Sequence, residues 1–162
     1  MHEDSSFMLI ALEEARIAYE EGEIPVGAVI TREGAIIARA HNRNRALGNP
    51  LHHAEMIAIN SAALALGNER LNGCTLYATK EPCVMCAGAI VHARIERLVI
   101  AAEDVKYGAC GTVFSVCGDR RLNHVPEIIF GLMRDEASAL LTSFFRNLRD
   151  GKRSKGPHSP DI

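Results

Sequence analysis

The chain has 162 residues, of which 48% are hydrophobic and 23% charged, and its formal net charge is −2. That is enough apolar material for one domain with its own core, without disulfide staples. It holds no run of about 18 apolar residues able to cross a membrane, and its mild acidity makes no global demand for nucleic acid.

The start, Met1-His2-Glu3-Asp4-Ser5-Ser6, lacks the basic opening and apolar run of a secretory signal, so the expected location is the cytoplasm. Ser5-Ser6 offers an N-cap. Met8, Leu12, Ala15 and Ala18-Tyr19 then recur at helical spacing up to a stop at Gly22. Val26 to Thr31 and Ala35 to Ala40 are β-rich runs around Arg32-Glu33-Gly34, which predicts a hairpin. Residues 42–50 read as a polar loop. His53 to Leu66 reads as a second helix ended by Gly67-Asn68, and Cys74 to Thr79 as a strand. Pro82 is placed in the first turn of a third helix running to about His92. Arg97 to Ala102 is a further strand, residues 103–123 a glycine-bearing loop, and Ile128 to Phe130 a short last strand. Ala137, Leu140, Leu141, Phe144 and Leu148 mark a C-terminal amphipathic helix.

Helices and strands alternate after the hairpin. This order predicts an α/β layer fold, a mixed sheet with helices on both faces. Residues 1–150 read as a single domain, and 151–162 as a basic, disordered tail. Between Arg146 and Lys155 stand five basic residues and one acid, Asp150. On charge alone that segment is a solvated helix end, although a local basic stretch can also meet phosphate.

Two short segments carry chemistry: His53-Ala54-Glu55 and Pro82-Cys83-Val84-Met85-Cys86. Each is a weak signal alone. Together, both fall at predicted helix starts, and two such starts on one side of a sheet can bring three ligands to one point. One imidazole and two thiolates suit Zn²⁺ and leave a fourth position open, as a catalytic zinc requires. Helix N-termini favour thiolate, and a bound zinc lowers the pKa of its water to about 7. Glu55, two residues from His53, is of the right type to move the protons. Two other readings stand beside this one. Cys83 and Cys86 could form a redox dithiol. A structural zinc would need a fourth ligand from His52, Cys74, Cys110 or Cys117.

The H-x-E and P-C-x-x-C pair is the known signature of zinc nucleobase deaminases. The chain resembles the bacterial tRNA adenosine deaminases, the TadA family of the cytidine-deaminase-like superfamily. The resemblance rests on several segments. Ile24 to Val29, His41-Asn42-Arg43-Asn44 and His53-Ala54-Glu55 are the first three. The run from Glu81 to Ile90 is the most specific. Asp104 to Gly111, Leu122-Asn123-His124 and Phe144-Phe145-Arg146 complete the set.

The resemblance implies a three-layer α/β/α fold with a five-stranded sheet, a homodimer, and one zinc per subunit held by His53, Cys83 and Cys86. It implies conversion of adenosine to inosine at the wobble position of a tRNA anticodon stem-loop. Water adds at C6, Glu55 delivers a proton to N1, and ammonia leaves. By position, Asn42 and the Ala54 N–H face the base and Val26 packs against it. Asp104 and Lys106 meet flanking nucleotides, and Arg146 and Arg149 meet phosphate.

The chain departs from the family at Asn49-Pro50-Leu51-His52, at Lys80 and at Ala101. Leu51 and His52 bear on the substrate, and Lys80 is a candidate phosphate contact. Two rivals follow: a deaminase of a free base or nucleoside, of guanine or cytosine type, and a catalytically silent zinc-stabilised binding protein. The first shares Glu55; the second does not need it.

Overall fold

A computed structural model describes residues 2–151. The predicted basic tail from 152 onward lies outside the described residues. The elements, in order, are α1 (His2–Glu20), β1 (Gly27–Arg32), β2 (Ala35–His41), α2 (Asn44–Leu47), α3 (Ala54–Leu66), β3 (Cys74–Lys80), α4 (Val84–His92), β4 (Arg97–Ala102), β5 (Glu127–Phe130) and α5 (Arg134–Arg149).

The strands form one mixed sheet in the order β2-β1-β3-β4-β5. β1 pairs antiparallel with both β2 and β3, while β3–β4 and β4–β5 are parallel. The pleat sends alternate residues to opposite faces. Ala28, Ile30, Leu76, Leu98 and Ile100 therefore pack with Ala54, Ala58 and Ala62 of α3 and Ala87 and Ile90 of α4. Val29, Tyr77, Val99 and Ala101 pack on the other face with Met8, Ala11 and Leu12 of α1 and Ala137 of α5. This is the expected three-layer arrangement, and it explains why the central strands read as unbroken apolar runs.

Contact between α1 and the sheet is close. A Cβ at Gly27 would lie 1.9 Å from the Ala11 carbonyl oxygen, so no side chain fits there. The antiparallel register sets Ala28 opposite Ala78, which brings the start of β1 beside the end of β3. The Gly27 N–H donates to Thr79 Oγ1 at 3.0 Å across that junction. Val26 and the residues after Lys80 consequently share one edge of the molecule.

Three local expectations change. α1 begins at His2, so Ser5-Ser6 lie within its first turns rather than capping it, and Ser6 Oγ donates back to the His2 carbonyl. The polar loop before α3 contains a short helix, α2, closed by Gly48 in the left-handed conformation. Pro82 lies before α4 rather than in its first turn: Cys83 is the N-cap, with extended backbone, and the helix starts at Val84. No helix of the described residues is long and apolar enough to cross a membrane.

Candidate metal centre and substrate cleft

His53 is the N-cap of α3 and Cys83 the N-cap of α4, both with extended backbone. Each cap residue turns the chain into its helix, and α3 and α4 lie on the same face of the sheet. This delivers His53 Nδ1 to within 3.6 Å of Cys83 Sγ and 3.5 Å of Cys86 Sγ. The three donor atoms all lie within 4.8 Å of one another.

A tetrahedral zinc, with bonds of about 2.3 Å to sulfur and about 2.0–2.1 Å to nitrogen, sets N···S separations of about 3.6 Å. The donor set therefore fits zinc in identity and spacing. Among the described residues no fourth His, Cys, Asp or Glu joins the cluster. The closed structural site considered from the sequence has no fourth ligand here. Cys74 is a core residue of β3, and Cys110 and Cys117 are buried with their sulfurs 3.4 Å apart. His52 Nδ1 is buried without a hydrogen-bond partner, and the residue does not line the cleft.

The electrostatics suit a cation. Hydrogen bonding from Cys86, with further help from His53, pulls the Cys83 thiol down to about 3. Cys86 is pushed up because its proton is held toward Cys83. A dication held by these donors would favour both sulfurs as thiolates. The hydrogen bond with Cys83 raises His53. Burial raises the carboxyl of Glu55, which is 3% exposed yet lines the cleft beside His53 and Cys83.

The metal cluster opens into a cleft of about 1370 Å³. Its lining includes Glu23, Asn44 and Arg45, the loop residues Asp104 to Tyr107 and Phe114, and Phe145, Leu148 and Arg149 of α5. The chain has three Tyr, five Phe and no Trp. The exposed aromatics are Tyr107 (65%), Phe114 (50%) and Phe145 (41%), and all three line this cleft.

Asn42 is 6% exposed and lines the cleft. The Ala54 N–H, expected to face the base, donates to Asn42 Oδ1 at 2.8 Å. Because an N–H can only donate, the amide orientation of Asn42 is settled, and its two Nδ2 protons are left for other acceptors. Ala54 itself is fully buried. Val26 is buried at the cleft floor, its carbonyl accepting from the Asn42 N–H.

Asp104 lines the cleft, but its carboxylate is engaged. Lys80 Nζ lies 2.7 Å from Oδ2, and Oδ1 accepts from the N–H groups of Lys106 and Tyr107. Burial works to raise Asp104, yet Lys80 and those N–H groups hold it below its usual range. Lys80, a candidate phosphate contact from the sequence, is thereby ion-paired within the chain. Lys106 and Arg149 are exposed at the cleft, whereas Arg146 is exposed on α5 outside its lining.

Two buried carboxylates at the cleft were given no role from the sequence, although Glu81 opens the run most specific to the resemblance. Glu23 accepts from the N–H groups of Arg45 and Ala46, fixing the start of α2. Glu81 accepts four donors from Asp104, Cys110 and Thr112. Nothing in their spacing marks them. The exposed aromatics did leave a signal, since two of only eight aromatics fall in one polar, glycine-bearing loop.

Residues 1–102 match the family described as the cytidine and deoxycytidylate deaminase zinc-binding region. The chain belongs to this family. It is 45% identical over 154 residues to the tRNA-specific adenosine deaminase of Bacillus subtilis (strain 168), covering 95% of this chain and 96% of that one. A solved tRNA:A34 deaminase, studied for A-to-I editing at the wobble position of transfer RNA, superposes with a TM-score of 0.82 at 45% identity. That match covers 84% of this chain and 99% of the other. Guanine deaminase from Nitrosomonas europaea shares the fold at a TM-score of 0.72 and 28% identity, covering 86% and 83%. The chain is thus a zinc-binding deaminase by sequence, by fold and by donor set, and the redox dithiol reading of Cys83 and Cys86 gives way to a metal site.

Proposed function

We propose that this deaminase hydrolyses the wobble adenosine of a tRNA anticodon stem-loop to inosine, releasing ammonia. The observation that carries the substrate class is the placement of every exposed aromatic in the cleft. Single-stranded RNA is bound by splaying bases onto aromatic rings, each worth about 1–3 kcal/mol. A free base needs no such rim, and sites for small molecules typically occupy about 300–1,000 Å³, less than the 1370 Å³ of this cleft. The relatives named for tRNA adenosine deamination point the same way.

In this reading Asn42 offers its Nδ2 protons to the base or its ribose, and Val26 forms the apolar floor. His53, Cys83 and Cys86 would hold the zinc, which when bound would supply an acidified water. Glu55, buried beside His53, would take a proton from that water and pass it to N1 as the hydroxide adds to C6, then carry the proton of the new C6 hydroxyl to the amino group, which leaves as ammonia as the C6 carbonyl forms. Lys106 and Arg149 provide charge near the backbone of the RNA. A homodimer accompanies this reading. α3 is apolar around much of its circumference, yet leaves Leu64 exposed and Ile57, Ile59 and Ala63 only partly covered. The setting of such an enzyme is the cytoplasm.

The deciding experiment measures inosine in an anticodon stem-loop with adenosine at the wobble position, alongside free adenosine, adenine, guanine and cytosine. Inosine in the RNA alone, abolished in Glu55→Ala with zinc retained, is the expected result. Ammonia from a free base alone would move the protein to the small-molecule branch, with Leu51 and His52 the first residues to exchange. Unchanged turnover in Glu55→Ala would remove the proton-transfer role.

A further inference from the structure

Residues 103–114 form the cleft wall with the least regular structure. They contain no helix or ladder strand, and only a single bridge pairs Cys110 with Ser115. Such a segment would ordinarily sample many conformations and lose that freedom on binding a ligand. At its centre lies Glu81, which is 2% exposed and ion-paired with no residue among those described. Its Oε1 accepts from the N–H groups of Cys110 (3.0 Å) and Thr112 (3.1 Å). Its Oε2 accepts from the Asp104 N–H (3.0 Å) and from Thr112 Oγ1.

The carboxylate is itself held at the sheet edge, because the Glu81 N–H donates to Ala102 at the end of β4 (2.8 Å). Gly108 closes the wrapping: a Cβ there would lie 2.3 Å from Glu81 Oε2. Burying an anion without a cation is costly. Four converging donors offset that cost only if the loop adopts this one shape. The outer side of the same loop presents Val105, Lys106, Tyr107 and Phe114 to the cleft.

We propose that Glu81 is a positioning residue: its buried carboxylate holds residues 104–114 in the shape that receives the nucleotides flanking the reacting base. It thereby sets affinity for RNA and leaves the chemistry at the metal untouched. The inference rests on the RNA reading of the cleft, and it acts through the loop rather than through contact with substrate.

The test uses the full zinc-loaded chain and an anticodon stem-loop RNA with adenosine at the wobble position. In Glu81→Gln, one oxygen becomes an NH₂ that faces donors. KM should rise about tenfold or more while kcat stays within about threefold, with zinc per chain unchanged. Amide hydrogen exchange at Asp104, Cys110 and Thr112 should quicken by about 100-fold, with α3 and α4 unaltered. Gly108→Ala should reproduce this pattern, and the double variant should be no worse than either single one, as expected for two lesions in one contact.

Thr112→Val removes a single donor and should raise KM by about threefold; it decides the matter if Glu81→Gln does not fold. A fall in kcat at constant KM, loss of zinc, or unchanged exchange in the loop would each overturn the proposal. Should the wild-type chain ignore the RNA, the substrate reading fails separately, and the exchange measurement still shows whether Glu81 holds the loop.

Discussion

Asn42 Oδ1 accepts the N–H of Ala54, the first residue of α3, at 2.8 Å. One amide side chain thus performs two tasks. It caps the helix that carries His53 and Glu55, and it turns its NH₂ away from that contact. Neither His53 nor any other side chain of the N-cap position does the capping.

The two tasks separate by substitution. Asn42→Asp keeps the acceptor for Ala54 but loses both donors, so the fold should persist while turnover falls by about 100-fold or more. Asn42→Ala loses the acceptor as well and should cost an additional stability of about 1–2 kcal/mol. Thermal melts of the two variants, set beside their rates of inosine formation, check this. Equal stability loss in both would show that Oδ1 is not a cap.

Chelation should abolish activity and lower the melting temperature together, because metal binding free energy is folding free energy at such sites. Re-addition of Zn²⁺ should restore both. Glu55→Gln, by contrast, should retain zinc and stability and lose turnover by about 100-fold or more. Metal analysis and melting curves on the same samples distinguish a ligand from a proton carrier.

Acid should reveal the link between α1 and β4. The Arg97 guanidinium, hydrogen-bonded to both oxygens of Asp4, together with the Tyr77 hydroxyl, holds the Asp4 carboxyl down to about 2 from an ordinary 3.8. A depressed folded-state value stabilises the fold above the unfolded value, and that contribution is lost as pH falls from about 4 to about 2. With solvent screening it amounts to about 1–2 kcal/mol. Asp4→Asn should therefore melt lower than wild type at pH 6, and the gap should close near pH 2. A gap independent of pH would remove the ion pair as its cause.

Gly27→Ala tests the closeness of α1 to the sheet. The added methyl would overlap the backbone of Ala11 and Ala15, and backbone cannot step aside as a side chain can. Destabilisation of about 3 kcal/mol or more is expected, read from denaturant unfolding. Wild-type stability in this variant would mean that α1 can move.

Much of this was legible in the residues. Arg97 to Ala102 is a strand with the expected bounds, and α3 and α4 end where Gly67 and His92 predict. These elements are long, apolar and punctuated, so local pattern suffices. The metal donors were legible because their residue types and spacing carry the chemistry. α2 was not: four residues capped by a buried Glu23 from elsewhere in the chain leave no periodicity to detect. The Lys80–Asp104 pair and the four donors on Glu81 join residues 23 to 31 positions apart, and the order of strands depends on pairings such as Ala28 with Ala78. Such contacts are products of the fold, and no local signal encodes them.

The positions of His53 and Cys83 have a last consequence. They stand 30 residues apart, and a shared ion would close the intervening chain, α3 and β3 included, into a ring, as a disulfide does where oxidation is available. Substitutions within that ring would be buffered when metal is plentiful and exposed when it is scarce. The range of sequences this stretch can explore is therefore set partly by the zinc supply of the cell that makes it.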